Sequence, residues 1–372
     1  MNIGRIRAVA EKEMIHILRD PRSLLMAIAI PLLLLFLFGY ALTLDVDNVP
    51  LGVLDRDRTP MSQRFVDRFA KSRYFSLRLV AGTYRDLERA IDRGECLMGL
   101  VIPQDFAGRL QSGRNVSIQA LVDGSDSNTA SIAIGYARAI AAIYTHERLT
   151  EAVGRSLQPV DPQIRVWFNR DLKSKNYIIP GLIAVIMMVI ASLLTSLTIA
   201  REWEQGTMEQ LVSTPIQTHE LILGKMIPYF LIGFLDVLLS VVMGTQLFHV
   251  PLRGNPLIVF GLSSLFLLGG LSLGLLYSIL AKNQLLAYQL AMLTSFLPAF
   301  LLSDMAFPIS GMPTAVRLFT YLVPARYFVI ILRAVFLKGV GVEILWVETA
   351  FLAVFGCAVF AIANAKLKKR IG

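Results

Sequence analysis

Charged residues are scarce in this sequence: they make up 17% of its 372 residues, whereas a soluble globular protein carries about 25%. Six apolar segments of about 20 residues hold almost none of them, and a helix of that length crosses about 30 Å of hydrocarbon. A buried core helix can be this apolar, but not six times over. The composition therefore predicts an α-helical membrane protein with six transmembrane helices, at 23–44, 178–200, 226–248, 257–281, 285–303 and 344–365.

Residues for catalysis or metal binding are also rare. The only two cysteines, Cys96 and Cys357, lie in different segments, so we expect no disulfide framework. There is no paired His/Cys motif at zinc-ligand spacing. The pair Gly224-Lys225 does not belong to a P-loop, because His219 stands where its first glycine is needed and Met226 replaces the Ser or Thr. We expect a non-catalytic chain that binds no cofactor and no metal of its own.

Lysine and arginine near the ends of spans favour the cytoplasmic side. Basic residues precede the first predicted span and close the chain, so both termini are predicted to be cytoplasmic. The net charge of +9 is thereby explained by contact with membrane lipids, and a nucleic-acid partner is not expected. Between the fifth and sixth spans, on the opposite side, there are four bases: Arg317, Arg326, Arg333 and Lys338. This segment is therefore not expected to be a plain solvated loop.

Residues 45–175 have a different texture, in which acids and bases are interspersed and strand-like runs alternate with helical patterns. This alternation predicts an inserted α/β domain outside the cytoplasm. It includes a helix over Pro103–Gln111 with proline in its first turn. Asp123 and Asp126 suit a turn and a helix cap better than a calcium loop. The domain shows no catalytic motif and is expected to act as a lid, vestibule or docking surface.

The N-terminal segment, 1–22, has the pattern of an amphipathic helix lying on the inner leaflet. Arg19-Asp20-Pro21 is expected to break this helix before the first span. From the residues alone, a basic anchor that sets topology and a lever that contacts a partner remain equally open. The apolar stripe of the helix comprises Ile3, Ile6, Ala10, Met14 and Ile17.

A second segment, 206–215, joins the second and third spans. Gly206 provides a turn, Thr207 is predicted to cap a short helix with Gln210 as its reciprocal partner, and Pro215 ends that helix. A capped helix between two spans can transmit force from a soluble partner, although it can also be a simple connector.

The string from Arg201 to Pro215, REWEQGTMEQLVSTP, followed by Glu220 and Gly224-Lys225, resembles the signature of ABC type 2 membrane permeases. Further similar motifs are spread along the chain. The one departure is Arg170, where the family often has proline after the asparagine of its RVWFN-like motif. The other motifs are Lys12-Glu13, Arg19-Asp20-Pro21, Arg165–Asn169, Met312-Pro313, Pro324–Phe328, Arg333 and Phe336–Gly339.

The resemblance implies a drug-efflux permease of a bacterial inner membrane, working as a homodimer or heterodimer. Two cytoplasmic ATP-binding subunits would hold ATP and Mg²⁺ and drive it. Whether a periplasmic adaptor or an outer-membrane channel also takes part stays open. In this interpretation 1–22 is the connecting helix, 176–372 holds the remaining five spans, and 303–339 is a re-entrant outer segment. The ATPase-coupling residues would be Arg201, Glu202, Glu204, Gly206, Thr207, Glu209, Gln210 and Pro215. The connecting helix would act through Lys12, Glu13, Arg19 and Asp20, and the outer segment through Pro308, Pro313, Pro324, Arg326 and Arg333.

Asp236 is the one acid deep within a predicted span, and intramembrane carboxylates are candidates for a transport pathway. It supports one alternative, a secondary transporter driven by an ion gradient, although no repeated halves are visible. Another alternative is a membrane-anchored sensor whose outer domain binds a ligand. The sequence does not reveal the cargo, but spans rich in Leu, Ile, Phe and Met favour hydrophobic or amphipathic compounds.

Overall fold

The computed structural model describes residues 2–41, 47–153, 167–169 and 173–367. The chain forms two compact units, one of residues 1–44 with 166–372 and the other of residues 45–165. The first unit contains helices α1 (Ile3–Arg19), α2 (Pro21–Ala41), α7 (Ser174–Ser196), α8 (Thr198–Glu204), α9 (Thr207–Ser213), α10 (Thr218–Gln246), α11 (Pro256–Ala281), α12 (Gln284–Ala291), α13 (Leu297–Leu302), α14 (Thr314–Thr320), α15 (Pro324–Arg333) and α16 (Trp346–Lys366), with π-helical turns at Met292–Phe296 and Ala334–Lys338 and a 3₁₀ turn at Ile309–Gly311. The second contains β1 (Val49–Asp55), α3 (Pro60–Ala70), β2 (Phe75–Val80), α4 (Tyr84–Asp92), β3 (Met98–Ile102), α5 (Phe106–Gln111), β4 (Gln119–Val122) and α6 (Ser127–Val153).

The first unit is built from helices of membrane-spanning length. Among the described residues, five helices are long and apolar enough to cross a bilayer. Helix α14 and the helix after it, Pro324–Lys338, form a bent pair with an angle of 79° that would count as a sixth if the pair is one span. The chain is therefore a mostly helical, multi-pass membrane protein with about five or six candidate spans. The five helices are Ser174–Glu204, Thr218–Gln246, Pro256–Ala281, Gln284–Leu302 and Trp346–Lys366.

The first predicted span, 23–44, coincides largely with α2. Helix α2 is 21 residues long, and residues 42–46 lie outside the described part of the chain. The exact number of spans therefore stays a prediction.

Helix α7 forms the centre of the helical unit, and every residue from Ile178 to Ser192 is buried. Helix α11 approaches it very closely at Gly274. A Cβ atom at this position would lie 2.0 Å from the backbone oxygen of Ser192 and 2.4 Å from the Oγ1 atom of Thr195. The Thr195 hydroxyl donates to the carbonyl of Leu271 at 2.7 Å. Only glycine leaves room for this backbone contact.

We expect Gly274→Ala to lower the free energy of unfolding by about 1–3 kcal/mol, the usual cost of overpacking. The clash is with backbone, which cannot move aside as a flexible side chain can. Gly261→Ala in the same helix is the matched control, because a Cβ atom there meets nothing within 4 Å. Thermal unfolding of both variants in detergent measures the difference. Equal midpoints for the two variants would contradict the packing argument.

The second unit contains a four-stranded sheet with the order β2-β1-β3-β4. Strand β1 pairs in parallel with β2 and β3, and β4 runs antiparallel to β3. Successive side chains of β1 face opposite sides of the sheet. Leu51 and Val53 pack with a cluster that includes α3, α5 and α6, whereas Leu54 packs with Leu87 of α4. Helices therefore cover both faces.

Two details of this unit test the sequence predictions. The helix predicted from Pro103 begins at Phe106 instead, so the proposed role of Pro103 in its first turn is wrong. The turn and cap predicted at Asp123 and Asp126 are confirmed. Asp123 Oδ1 accepts from the backbone N–H of Ser125 at 2.9 Å, and Asp126 Oδ1 accepts from that of Thr129 at 3.4 Å. The side-chain and backbone hydrogen bonds from Ser125 lower the pKa of Asp123.

Candidate functional site

Helix α1 packs directly against the start of α10. The two helices approach closest at Gly224, where a Cβ atom would lie 2.6 Å from Cβ of Val9 and 2.9 Å from the backbone oxygen of Ile6. Ile6 and Val9 are buried at this contact. The absence of a side chain at Gly224 thus lets the backbones of α1 and α10 come together.

The next residue, Lys225, lies at the centre of a set of charged side chains that are all buried except Lys12. Its side chain is 2% exposed, and Nζ donates to Glu13 Oε1 and, at 3.0 Å, to Glu202 Oε1. Lys12 Nζ donates to the same Glu202 oxygen at 2.9 Å. The hydroxyl of Thr207 donates to the other oxygen of Glu202. We call Lys12, Glu13, Glu202, Thr207 and Lys225 the charged junction.

The charged junction joins four helices. Lys12 and Glu13 belong to α1, Glu202 to α8 and Lys225 to α10, while Thr207 opens α9. Its two acids and two bases balance in formal charge. Moving one ion out of water costs several kcal/mol unless it is paired, so each buried charge depends on the position of the others. The junction therefore specifies the relative placement of α1, α8 and α10.

The capping box predicted at Thr207 and Gln210 is wrong. The residue before α9 is Gly206, in the left-handed conformation with φ of 69°, and the helix has no side-chain cap. The hydroxyl of Thr207 is engaged by Glu202 and so does not cap. The reciprocal cap lies one helix later, where the Glu220 side chain accepts from the backbone N–H of Gln217 at 3.0 Å.

Glu220 also ties the beginning of α1 to α10. Its Oε1 atom accepts from the backbone N–H of Asn2 at 2.6 Å. Arg5 lies beside it, with 3.6 Å between Nη1 and Oε2, and the same Nη1 donates to the carbonyl of Pro215 at 2.6 Å. The amino-terminal helix is thus attached at both the start and the middle of its length.

The predicted coupling residues divide into inward-facing and outward-facing groups. Glu202 is buried, whereas Glu209 and Gln210 are exposed on α9. Glu204 is exposed but accepts from the backbone N–H of Gln284, at the start of α12, at 2.9 Å. Arg201 Nη1 lies 2.8 Å from His16 Nε2. Of these acids, only Glu209 has no hydrogen bond or ion pair with the described residues, so its carboxylate is open to a partner.

The buried face of α1 differs from the predicted stripe. Ile6 and Ile17 are buried as predicted, but Ile3 is 75% exposed, and Val9 and Glu13 occupy the buried face. The stripe was derived for a helix lying on lipid, whereas the structure packs α1 against protein and pairs its acid with Lys225. Of the other predicted residues of this helix, Arg19 is exposed and Asp20 follows its last turn.

The outer segment contains an ion pair that was not predicted from the sequence, and this pair contacts α7 through Tyr177. Arg333 Nη1 donates to Asp304 Oδ2 at 2.7 Å, and Nη2 donates to the Asp304 carbonyl at 2.7 Å. The guanidinium lies 3.3 Å from the ring centroid of Tyr177, and Nε donates to the Tyr177 carbonyl at 3.1 Å. We call Tyr177, Asp304 and Arg333 the outer clasp.

The remaining predicted residues of the outer segment do not join the outer clasp. Arg326 donates to the hydroxyl of Thr320 and stacks on Tyr321. Pro308 and Pro313 are exposed between helices, and Pro324 is buried as the first residue of α15. The misfit bases Arg326 and Arg333 are thus held by protein groups, as expected for a segment that is not a plain loop.

Asp236 is buried in the middle of α10 and is 3% exposed. Within the described residues, neither of its carboxylate oxygens has a hydrogen-bond partner. An ionised carboxylate in such a place is costly, so Asp236 stays a candidate for the transport pathway rather than a structural ion-pair partner.

Sequence reasoning missed the buried role of Lys225 and the partners of Arg333. A signal existed for the lysine, because one base opens an otherwise apolar run. Another existed for Asp304, which ends an uncharged run shortly before several arginines. Neither signal identifies the partner. Over the described residues, no group of three or more His, Cys, Asp or Glu could hold a metal ion. The charged junction is suited to transmitting a displacement from one helix to the others.

Comparison with known proteins gives matches over nearly the whole chain. Residues 21–364 match the family model described as ABC-2 family transporter protein. The chain is 40% identical to the probable multidrug ABC transporter permease YbhS of Escherichia coli K12, over 99% of this chain and 97% of that protein. It is 28% identical to the probable multidrug ABC transporter permease YbhR of the same organism, over 99% of each. It is also 27% identical to the inner membrane transport permease YhhJ, over 88% of this chain and 87% of that protein.

Proposed function

Since the chain belongs to the ABC-2 family of transporter proteins, we propose that it is the membrane permease subunit of an ATP-driven exporter whose ATPase is a separate polypeptide. The charged junction is the observation that carries this proposal. It connects an exposed short helix, α9, to α1 and α10 through buried, mutually dependent charges. The chain needs an external source of energy because its sequence contains no P-loop.

A mechanical path follows from the contacts. A push on the exposed face of α9, at Glu209 and Gln210, reaches the start of the helix at Thr207. The hydrogen bond from Thr207 to Glu202 passes the displacement to α8, and Lys225 passes it to α10 and, through Glu13, to α1. Because separating these buried charges is costly, the four elements are expected to move together rather than one at a time.

The proposed arrangement has both termini, α1 and α9 on the cytoplasmic side of a bacterial inner membrane. A cytoplasmic ATP-binding subunit docks on α9, and a second permease copy, identical or paralogous, completes the pathway. The unit of residues 45–165 lies outside. The proposed cargo is hydrophobic or amphipathic, drug-like molecules; this agrees with the description of YbhS and YbhR as probable multidrug permeases.

Cross-linking tests the docking surface. In a background in which Cys96 and Cys357 are replaced by serine, the variant Glu209→Cys is expected to cross-link to the co-expressed ATPase subunit. The exposed position Ser310, in the outer segment, provides the matched control and should give no such product. Glu209→Ala should reduce cargo-stimulated ATP hydrolysis while leaving the charged junction intact.

Glu209 is replaced alone, and Glu204 is left in place, because Glu204 also accepts a hydrogen bond from the start of α12 and its loss would disturb that helix. Transport in proteoliposomes that contain this chain but no ATPase would overturn the proposal and favour an ion-coupled carrier. The proposal would fail equally if position 209 never cross-linked to a nucleotide-binding protein.

A further inference from the structure

A cavity of about 310 Å³ lies between the outer segment and the helices α7, α11 and α16. Phe319 of α14 and Val323, at the bend before α15, form one wall, and the π-helical turn Met292–Phe296 contributes Thr294 and Ser295. The volume falls within the range of about 300–1,000 Å³ that ligand pockets occupy, and π-helical turns are frequent at functional sites. The cavity is therefore a candidate binding site, and its lining shares no residue with the charged junction or the outer clasp.

The hydroxyl of Ser295 is a buried polar group that lines this cavity. Ser295 is 1% exposed, and its Oγ atom forms no hydrogen bond with the described residues. The neighbouring Thr294 shows the usual alternative in a helix, since its hydroxyl donates to the carbonyl of Leu290 at 2.6 Å. Burying an unpaired hydroxyl is costly. Ser295 is thus positioned to form a hydrogen bond with a ligand in the cavity.

The rest of the lining is uncharged and aromatic. None of the described residues that line the cavity is an acid or a base. Arg326, two residues after the last lining residue of the outer segment, donates to the hydroxyl of Thr320 and stacks on Tyr321. A charged ligand would therefore lose water without gaining a counter-ion, which is costly, whereas an aromatic ligand can pack against rings. Three rings line the cavity, and none of them takes part in the aromatic pairs of the described helical unit: Tyr277, Phe319 and Phe355.

We propose that this cavity binds one uncharged aromatic compound that carries a hydroxyl group, with its ring among the three aromatic side chains and its hydroxyl bonded to Ser295. The inference rests on the proposed function in one respect, because it takes the bound compound to be cargo. It narrows that cargo from hydrophobic or amphipathic compounds in general to neutral ones, since the lining offers no carboxylate to a cationic drug.

The binding of tritiated para-phenylphenol to the full-length protein in nanodiscs tests the site, with the signal from empty nanodiscs subtracted. Biphenyl lacks the hydroxyl and para-phenylbenzylammonium carries a charge, and both are measured by competition. The phenol should bind saturably, with one site per chain. Biphenyl should bind about three- to tenfold more weakly, because one neutral hydrogen bond is lost, and the ammonium compound should bind more weakly still. This comparison of ligands needs no variant.

Two variants locate the site. Ser295→Ala should weaken binding of the phenol by the same factor of about three to ten and leave binding of biphenyl unchanged, a difference that a purely structural role of the hydroxyl would not produce. Ala299→Leu should weaken binding of both compounds, because Ala299 lines the cavity and the larger side chain fills it. The matched control is Ser272→Ala, which should bind the phenol as the wild type does. It removes a buried hydroxyl of α11 that donates to the carbonyl of Leu268, outside the lining.

Equal affinity of the wild-type protein for the phenol and for biphenyl would show that Ser295 does not contact the ligand and would overturn the proposal. Unchanged binding of the phenol in a correctly folded Ser295→Ala or Ala299→Leu variant, as judged by size exclusion, would overturn it as well. No ATPase is present in these measurements. Failure of binding is therefore distinct from failure of the proposed function, which the cross-linking at Glu209 tests.

Discussion

Replacing Lys225 by methionine is expected to lower the free energy of unfolding by about 3–5 kcal/mol, the cost of removing one partner from a buried ion pair. Methionine has a similar length, so the packing at Gly224 is kept while the ammonium group is lost. Glu13 and Glu202, 5% and 7% exposed, would then face each other without the base between them. Lys12 cannot compensate, because it contacts Glu202 but not Glu13. Thermal or denaturant unfolding in detergent measures the effect.

Two further variants separate the charge from the loss of the side chain. Adding Glu13→Gln and Glu202→Gln to Lys225→Met removes the uncompensated acids, so this triple variant should recover a large part of the lost stability. Lys282→Met removes an exposed lysine from the same helical unit and should change stability little. If Lys225→Met were as stable as Lys282→Met, the charged junction would not hold the three helices together.

Loss of the outer clasp should free the outer segment from α7. Arg333 donates three hydrogen bonds, two of them to Asp304. The side chains of Arg333 and Asp304 are 11% and 28% exposed, so the pair is only partly screened by solvent. We expect Arg333→Met to cost about 2–3 kcal/mol, from hydrogen bonds that involve a charged group. Limited proteolysis between Ser303 and Leu322 should become faster.

A double-mutant cycle with Asp304→Asn isolates the pair. We expect a coupling energy on the order of 1–2 kcal/mol, because each single substitution removes the same ionic contact. Arg317→Met is the matched control, since this exposed arginine belongs to the same segment but not to the outer clasp. Additive effects of the Arg333 and Asp304 substitutions would show that the two side chains act independently and that their ion pair does not stabilise the segment.

Secondary structure could be predicted well where the hydrophobic pattern is local. The predicted span 257–281 corresponds to α11, which begins one residue earlier, at Pro256. Predictions failed where a tertiary contact competed with the local signal. Thr207 has the right residue type for a helix cap, but its hydroxyl binds a carboxylate from the preceding helix. The Pro103 prediction followed proline's preference for a first turn, while α5 begins three residues later.

The candidate site could be located from the sequence but not resolved into contacts. The string that begins at Arg201 indicated the loop, and Lys12-Glu13 indicated the helix beside it. Their meeting is a property of the packed chain, since Glu13 and Lys225 are 212 residues apart. Which of Glu202, Glu204 and Glu209 faces outward depends on how α8 and α9 turn at Gly206. All three look alike in the sequence, yet Glu202 is buried, Glu204 holds α12 and Glu209 is exposed.

By itself, the sequence determined that this protein is surrounded by membrane lipid. Apolar runs of membrane-spanning length and a shortage of charge require lipid around most of the chain, because hydrophobic transfer depends on composition and length rather than on partners. Only the tertiary structure decided which charges are paired. Ion pairs such as Lys225 with Glu13 and Arg333 with Asp304 form where close helix contacts exclude water, and those contacts are made by residues far apart in the chain.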